Sequence, residues 1–239
     1  MKKPPLIPTV LVLFFVVLML NLGFWQLSRA KEKQHLLTLI ADDNVIQLKT
    51  KKQLKELPQY ATIKIKGHYL KQPQLLLDNQ INGQQLGYHV FTAFFIDALN
   101  SYIMINRGWI NPTHNKSLEV DESPTQLIGR LNHAPRVGYQ LGEQSLKNKH
   151  QQLITYYDSE IIQPFLQEKL CQSLDCWVTP RILWLNPDQH QGFERNWKPI
   201  IMPPSKHIGY AVQWFSMTFV LIVIYIYWLR KTVYSLTED

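Results

Sequence analysis

The chain has 239 residues, 46 % hydrophobic and 18 % charged, with 25 Lys and Arg against 18 Asp and Glu for a net charge of +7. That positive balance fits a protein lying against anionic lipid, and with no recognisable nucleic-acid motif behind it a nucleic-acid role is excluded. The averages conceal two apolar runs, one near each end. Residues 6–27 (LIPTVLVLFFVVLMLNLGFWQL) carry no charge, a length that at 1.5 Å per residue crosses a hydrocarbon core of roughly 30 Å. A cleavable signal peptide behind Lys2 and Lys3 is the first alternative. The run outlasts the usual apolar core of about 7 to 15 residues, however, and only Leu27-Ser28-Arg29-Ala30 follows it, without a small-x-small cleavage site.

Beyond the first span the hydrophobic period becomes alternating, as in half-buried strands. Strands are expected at 62–66, 74–78, 87–95, 101–109, 125–132, 153–157 and 177–185. Turn chemistry at 79–83 (NQING), 97–100 (DALN) and Asn111-Pro112 makes 75–109 an antiparallel meander. Residues 49–56 (KTKKQLKE) read as a solvated helix or loop. Ser159 is placed to cap a helix over 160–170, with Ile161, Ile162, Phe165 and Leu166 as its apolar face. Six or seven strands with one internal helix predict a mostly antiparallel sheet curled into a sandwich or partial barrel.

The second run, 208–229 (IGYAVQWFSMTFVLIVIYIYWL), is closed by Arg230 and Lys231. A buried helical hairpin in a soluble protein would rarely carry two capless runs of this length. The fold class is therefore an α+β membrane protein, two transmembrane helices flanking a mostly antiparallel β domain with one internal helix. The division is 1–28 for the first helix, 29–205 for the domain, 206–230 for the second helix and 231–239 for a tail. Both termini lie on one side and the domain on the other. Charge does not decide which: Lys2, Lys3, Arg230 and Lys231 oppose Arg29, Lys31, Lys33, Lys198 and Lys206, and the loop is too long for the rule.

The domain offers no catalytic constellation. It lacks a nucleophile elbow, phosphate loop, HExxH or CxxC. Histidines 35, 68, 89, 114, 133, 150 and 190 are scattered, each a surface or satisfied core residue. Cys171 and Cys176 suit a small disulfide if the domain is extracytoplasmic, or free thiols, or two thiolates for a metal. His207 differs, because it stands where the chain enters the second span. A helix starting near Ser205 puts His207, Tyr210, Ala211, Trp214 and Thr218 on one face. An imidazole there suits a haem iron with Trp214 flanking the ring, or serves only as an interfacial anchor. At the end of the first span Trp25, Gln26 and Arg29 cluster by spacing, with Gly23 allowing close helix contact. Arg29 suits a haem propionate or, more simply, a phospholipid.

Several pieces in order along the chain carry a resemblance: Gly23-Phe24-Trp25-Gln26 with Arg29, Gly87-Tyr88-His89-Val90, Ile105-Asn106-Arg107-Gly108-Trp109-Ile110, and His207 through Tyr210-Ala211 to Gln213-Trp214-Phe215. In these the sequence resembles the surfeit locus protein 1 family of cytochrome c oxidase assembly factors. The resemblance implies a non-enzymatic membrane protein with an extracytoplasmic domain that binds haem a transiently and assists its insertion into subunit I of the haem-copper oxidase. It carries the haem-iron ligand onto His207 and a flanking tryptophan onto Trp214, and makes Tyr210, Trp25, Gln26 and Arg29 candidates for the same pocket. The implied partners are subunit I, with haem a synthase as a second candidate, and the lipid bilayer. The Asn106-Arg107-Gly108-Trp109 piece is expected to be structural, its Gly allowing a turn and its Trp packing, with a partner contact as the alternative. Ala93-Phe94 departs from the family pattern, which usually has a proline there, and is expected to alter only a strand edge. The few residues ahead of the first span leave no room for a transit peptide, so a bacterial inner membrane is expected, with cytoplasmic termini and a periplasmic domain. Alternatives are a scaffold that holds an assembly intermediate without binding haem, and a membrane-tethered enzyme, which the missing catalytic set argues against.

Overall fold

The computed structural model describes residues 5–41, 44–113, 118–135, 144, 146–147, 149–197 and 202–234. Lys2, Lys3, His114, Lys198 and the tail from 235 onward lie outside the described residues. The chain forms two compact units, Leu39–Trp197 and Met1–Thr38 with Lys198–Asp239.

The second of these contains two helices, α1 (Leu6–Ala41) and α4 (Pro204–Tyr234), both long and apolar enough to cross a membrane. α1 continues well past Ser28, where the sequence division ends the first helix, because residues 29–41 hold no proline or glycine to stop it. Outward positions such as Val10, Leu13, Phe14 and Val17 on α1, and Val212, Phe219 and Ile224 on α4, leave apolar side chains exposed. Water would disfavour that surface and lipid would not.

In the other unit, the meander is built from β2 (Thr62–Asn82), β3 (Gln85–Ile96) and β4 (Ser101–Ile110). β4 pairs in parallel with β7 (Trp177–Leu185), β7 runs antiparallel to β5 (Thr125–His133), and β5 returns to Thr62–Gly67 of β2. The ring is closed, so the curled sheet expected from sequence is a small barrel without free edges around that circuit. Two short strands add to β2 in parallel, β1 (Ile46–Gln47) and β6 (Gln151–Ile154). Both barrel faces are buried. Ile103 and Ile105 join Ile63, Ile65 and Phe94 in one core, while Met104 joins Phe91, Leu77 and Ile182 in the other. Alternate residues of one strand thus serve opposite cores.

α3 (Ser159–Leu170) covers the second core with Ile162, Leu166 and Leu170. Its cap is Asp158, whose carboxylate accepts from Glu160 N at 2.9 Å, one residue ahead of the expected Ser159. Of its expected apolar face, Ile161 is exposed and Ile162 and Leu166 are buried. The lysine-rich stretch forms a further short helix, α2 (Lys51–Glu56), capped by Thr50 and anchored by the fully buried Leu54. Expected strands 62–66 and 74–78 are one strand. Its middle bulges, with Leu70 to Pro73 lying opposite the single residue Ala93 of β3. Ala93 is therefore on an internal strand and not at the expected edge, though it faces this break in the ladder. The expected turn at 79–83 shrinks to two residues, Gly83 and Gln84, with Gly83 supplying φ +63°.

Candidate functional site

Pro204 opens α4, where its missing N–H is no loss, and His207 follows in the first turn. The side chain is buried, 8 % exposed. Its Nδ1 donates to Gln26 Oε1 of α1 at 2.8 Å. With the Nδ1 proton engaged in that bond, the ring nitrogen left for a ligand is Nε2. Nε2 is itself buried and has no hydrogen-bond partner among the described residues. A buried ring nitrogen with a free lone pair, oriented by a bond at the other nitrogen, is the arrangement of a metal-ligating histidine.

The helices meet along a seam that accounts for this proximity. Gly23 lies against Phe215, so closely that a Cβ would stand 2.5 Å from the ring. Phe24 meets the same ring edge-on at 5.3 Å. On α4 the buried Ala211 and Thr218 continue the His207 face at i+4 and i+11. Farther along, the Thr9 hydroxyl donates to Pro5 O and accepts from the Tyr225 hydroxyl at 2.6 Å.

Of the sequence-derived candidates, Gln26 and His207 are brought together. Trp214 is half-buried on the same face of α4, and Thr218 Oγ1 donates to its carbonyl at 2.9 Å. Tyr210 is 46 % exposed and Trp25 51 % exposed. Arg29 bonds Glu32 at 2.7 Å and lies over the Trp25 ring at 5.7 Å. Glu32 was missed, although its i+3 spacing from Arg29 is a legible signal. The Gln26–His207 bond carried no such signal, because its partners lie on different helices.

The domain motifs converge on a separate node. Tyr88 pairs with Ile110 and His89 with Trp109 across β3 and β4. Gly87 is needed there, since a Cβ would come within 2.5 Å of the Trp109 ring. Trp109 Nε1 donates to Gln80 O at 2.8 Å. Arg107 is buried, donating to Gln191 O at 2.6 Å and Leu118 O at 2.8 Å, with its guanidinium over Phe193 at 4.7 Å. Burial holds its pKa down to about 10, against the raising influence of Tyr69, so it stays charged at neutral pH. Gly108 has φ +117°, and Phe193 N and Trp109 N close bonds to Arg107 O and Glu194 O beside it. These contacts tie β3 and β4 to the segment around 191–194.

Cys171 and Cys176 are joined as a disulfide. Among the described residues no cluster of His, Cys, Asp and Glu is arranged to hold a metal ion.

A family model described as the SURF1 family matches residues 13–219. The chain belongs to the SURF1 family. SURF1 proteins are cytochrome oxidase assembly factors, a family of assembly and not of catalysis. The matched segment includes both the Gln26–His207 contact and the Arg107 node. Similar relatives are a SURF1-like protein of Rickettsia bellii, 25 % identical over 235 residues (91 % of this chain and 88 % of the relative), and one of Rickettsia conorii, 24 % identical over 234 residues (92 % and 90 %).

Proposed function

We propose that this SURF1-family protein binds haem a at the helix pair and assists its insertion into subunit I of the haem-copper cytochrome c oxidase. The observation that carries this is the buried, partnerless Nε2 of His207, held in the ligand tautomer by Gln26. His207 would hold the iron through Nε2, and Trp214, with the exposed Tyr210 and Trp25, would supply aromatic surface for the ring. Arg29 would pair with a carboxylate of the cofactor in place of its exposed Glu32 partner, a surface pair of about 1 kcal/mol or less. A single protein ligand on a lipid-facing helix pair suits cargo that is released.

The membrane is a bacterial inner membrane, with the termini cytoplasmic and the domain periplasmic. The Cys171–Cys176 disulfide supports that side, because such bonds persist in oxidising compartments. Partners are subunit I and, as source of the haem, haem a synthase. The deciding measurement is the absorption spectrum of protein purified from cells that make haem a, wild type beside His207→Ala. A haem a band present in the first and lost in the second is expected. No band, or one unaltered by the substitution, overturns the proposal. Loss of haem with normal oxidase assembly in the variant favours a scaffold.

A further inference from the structure

The barrel domain carries a groove of about 770 Å³ whose wall is the bulge of β2. Its floor is aromatic: Phe95 and Tyr102 meet at 5.0 Å, and Phe165 of α3 faces the same space. Its rim is basic. Lys71, Lys149 and Lys169 line it with one acid, Glu122, which is bound to Lys71 at 3.2 Å. Lys149 and Lys169 are exposed and have no carboxylate partner among the described residues. The wall adds backbone. Between Tyr69 and Gln74 the strand leaves its ladder with β3, and neither β5 nor β6 pairs with Leu70 to Pro73.

An aromatic floor calls for apolar side chains, two unpaired ammonium groups call for carboxylates, and the stretch outside its ladder leaves carbonyls and the Leu70 and Gln72 N–H groups for another extended chain, Lys71 N being already bound to Glu122 Oε1 at 3.1 Å. A small dicarboxylate would use the first two features and leave the third idle. We propose that this groove docks an extended acidic segment of a partner protein, with apolar side chains alternating between its carboxylates. Alternation follows from strand geometry, where successive side chains point to opposite sides. The lysines steer and select the segment, and the aromatic floor holds it. Nothing in this depends on His207 or on haem.

The test uses the full-length protein in detergent micelles and the fluorescence anisotropy of a labelled hexapeptide of alternating aspartate and phenylalanine. Saturable binding that weakens with added salt is expected, with no binding of the same peptide carrying lysine for aspartate. Lys149→Glu with Lys169→Glu is expected to weaken binding about tenfold, and Lys149→Gln with Lys169→Gln to weaken it less. Both substitutions are on the surface, and an unchanged thermal midpoint verifies that the fold persists. Equal binding of the lysine peptide, or double-variant affinity within about twofold of wild type, overturns the proposal. So does saturable binding of dodecanedioate at a site from which the acidic peptide is excluded, which assigns the groove to a small molecule.

Discussion

The helix pair and the barrel each gather separated motif segments around a buried basic side chain, and they differ in what that side chain lacks. Arg107 in the barrel spends its donors on the carbonyls of Leu118 and Gln191 and lays its face on Phe193. His207 in the helix pair has one nitrogen bound to Gln26 and the other without a hydrogen-bond partner among the described residues. The barrel has orphan atoms too: Gln74 and Gln152 each bond through the other half of the amide, while Tyr69 Oη has no partner among the described residues and its ring lies under the Arg107 guanidinium at 5.8 Å, and none of the three belongs to a family motif. Family motifs therefore mark two kinds of place here. A motif side chain with its bonds complete holds the fold, and one with a buried lone pair to spare points to a ligand.

If that distinction is right, the largest loss of stability comes from Arg107→Ala, which strands the carbonyls it serves. A fall of about 3 kcal/mol or more in unfolding free energy is expected by urea titration. Arg107→Lys recovers only part of it, because an ammonium lacks the planar fork. Gly108→Ala comes next, at about 1–3 kcal/mol, since its backbone is left-handed and its Cβ would stand 2.6 Å from Glu194 O. Gln26→Leu makes the converse case. Stability falls by only about 1–2 kcal/mol, the cost of the stranded Nδ1–H, while on the proposed function haem affinity in a spectroscopic titration falls about tenfold as the ring loses its orienting partner. A variant that instead unfolds the protein and spares haem affinity would erase the contrast between the two nodes.

A pH dependence arising in the barrel is gradual, spread over a window of pH. Burial lowers the His89 pKa to about 4. The unfolded chain binds this proton below about pH 6.5 and the folded chain only below about 4. Between those values the unfolded state holds more protons, so stability falls as pH falls, by at most about 1.4 kcal/mol per pH unit. Denaturation across that window shows the slope, and His89→Gln removes its share.

Short-range patterns were the legible part of the fold. The strand at 177–185 and the two spans follow from alternation and from apolar length, which act over a few residues. β2 was split because the alternation at 62–66 lapses before it resumes at 74–78, and only the pairing on both sides of the bulge makes one strand of it. The closing of the barrel is set by β5 against β2 and β7 against β4, contacts between distant segments that leave no local mark. At the candidate site, helical spacing grouped His207 with Ala211, Trp214 and Thr218 on a real face. It also grouped Tyr210 with them, which is exposed, because the i+3 position lies at the edge of so narrow a stripe.

The Gly23–Phe215 contact works like the fulcrum of a pair of tongs. Gln26 lies three positions on from Gly23 and Phe215 eight on from His207, so the spacing of the two helices at the histidine is governed from a contact that involves neither Gln26 nor His207. Gly23→Val forces the blades apart at the pivot. The grip of Gln26 on His207 then slackens while both residues remain in place, and the affinity of the histidine for the ligand proposed above becomes a property that can be tuned from the helix seam.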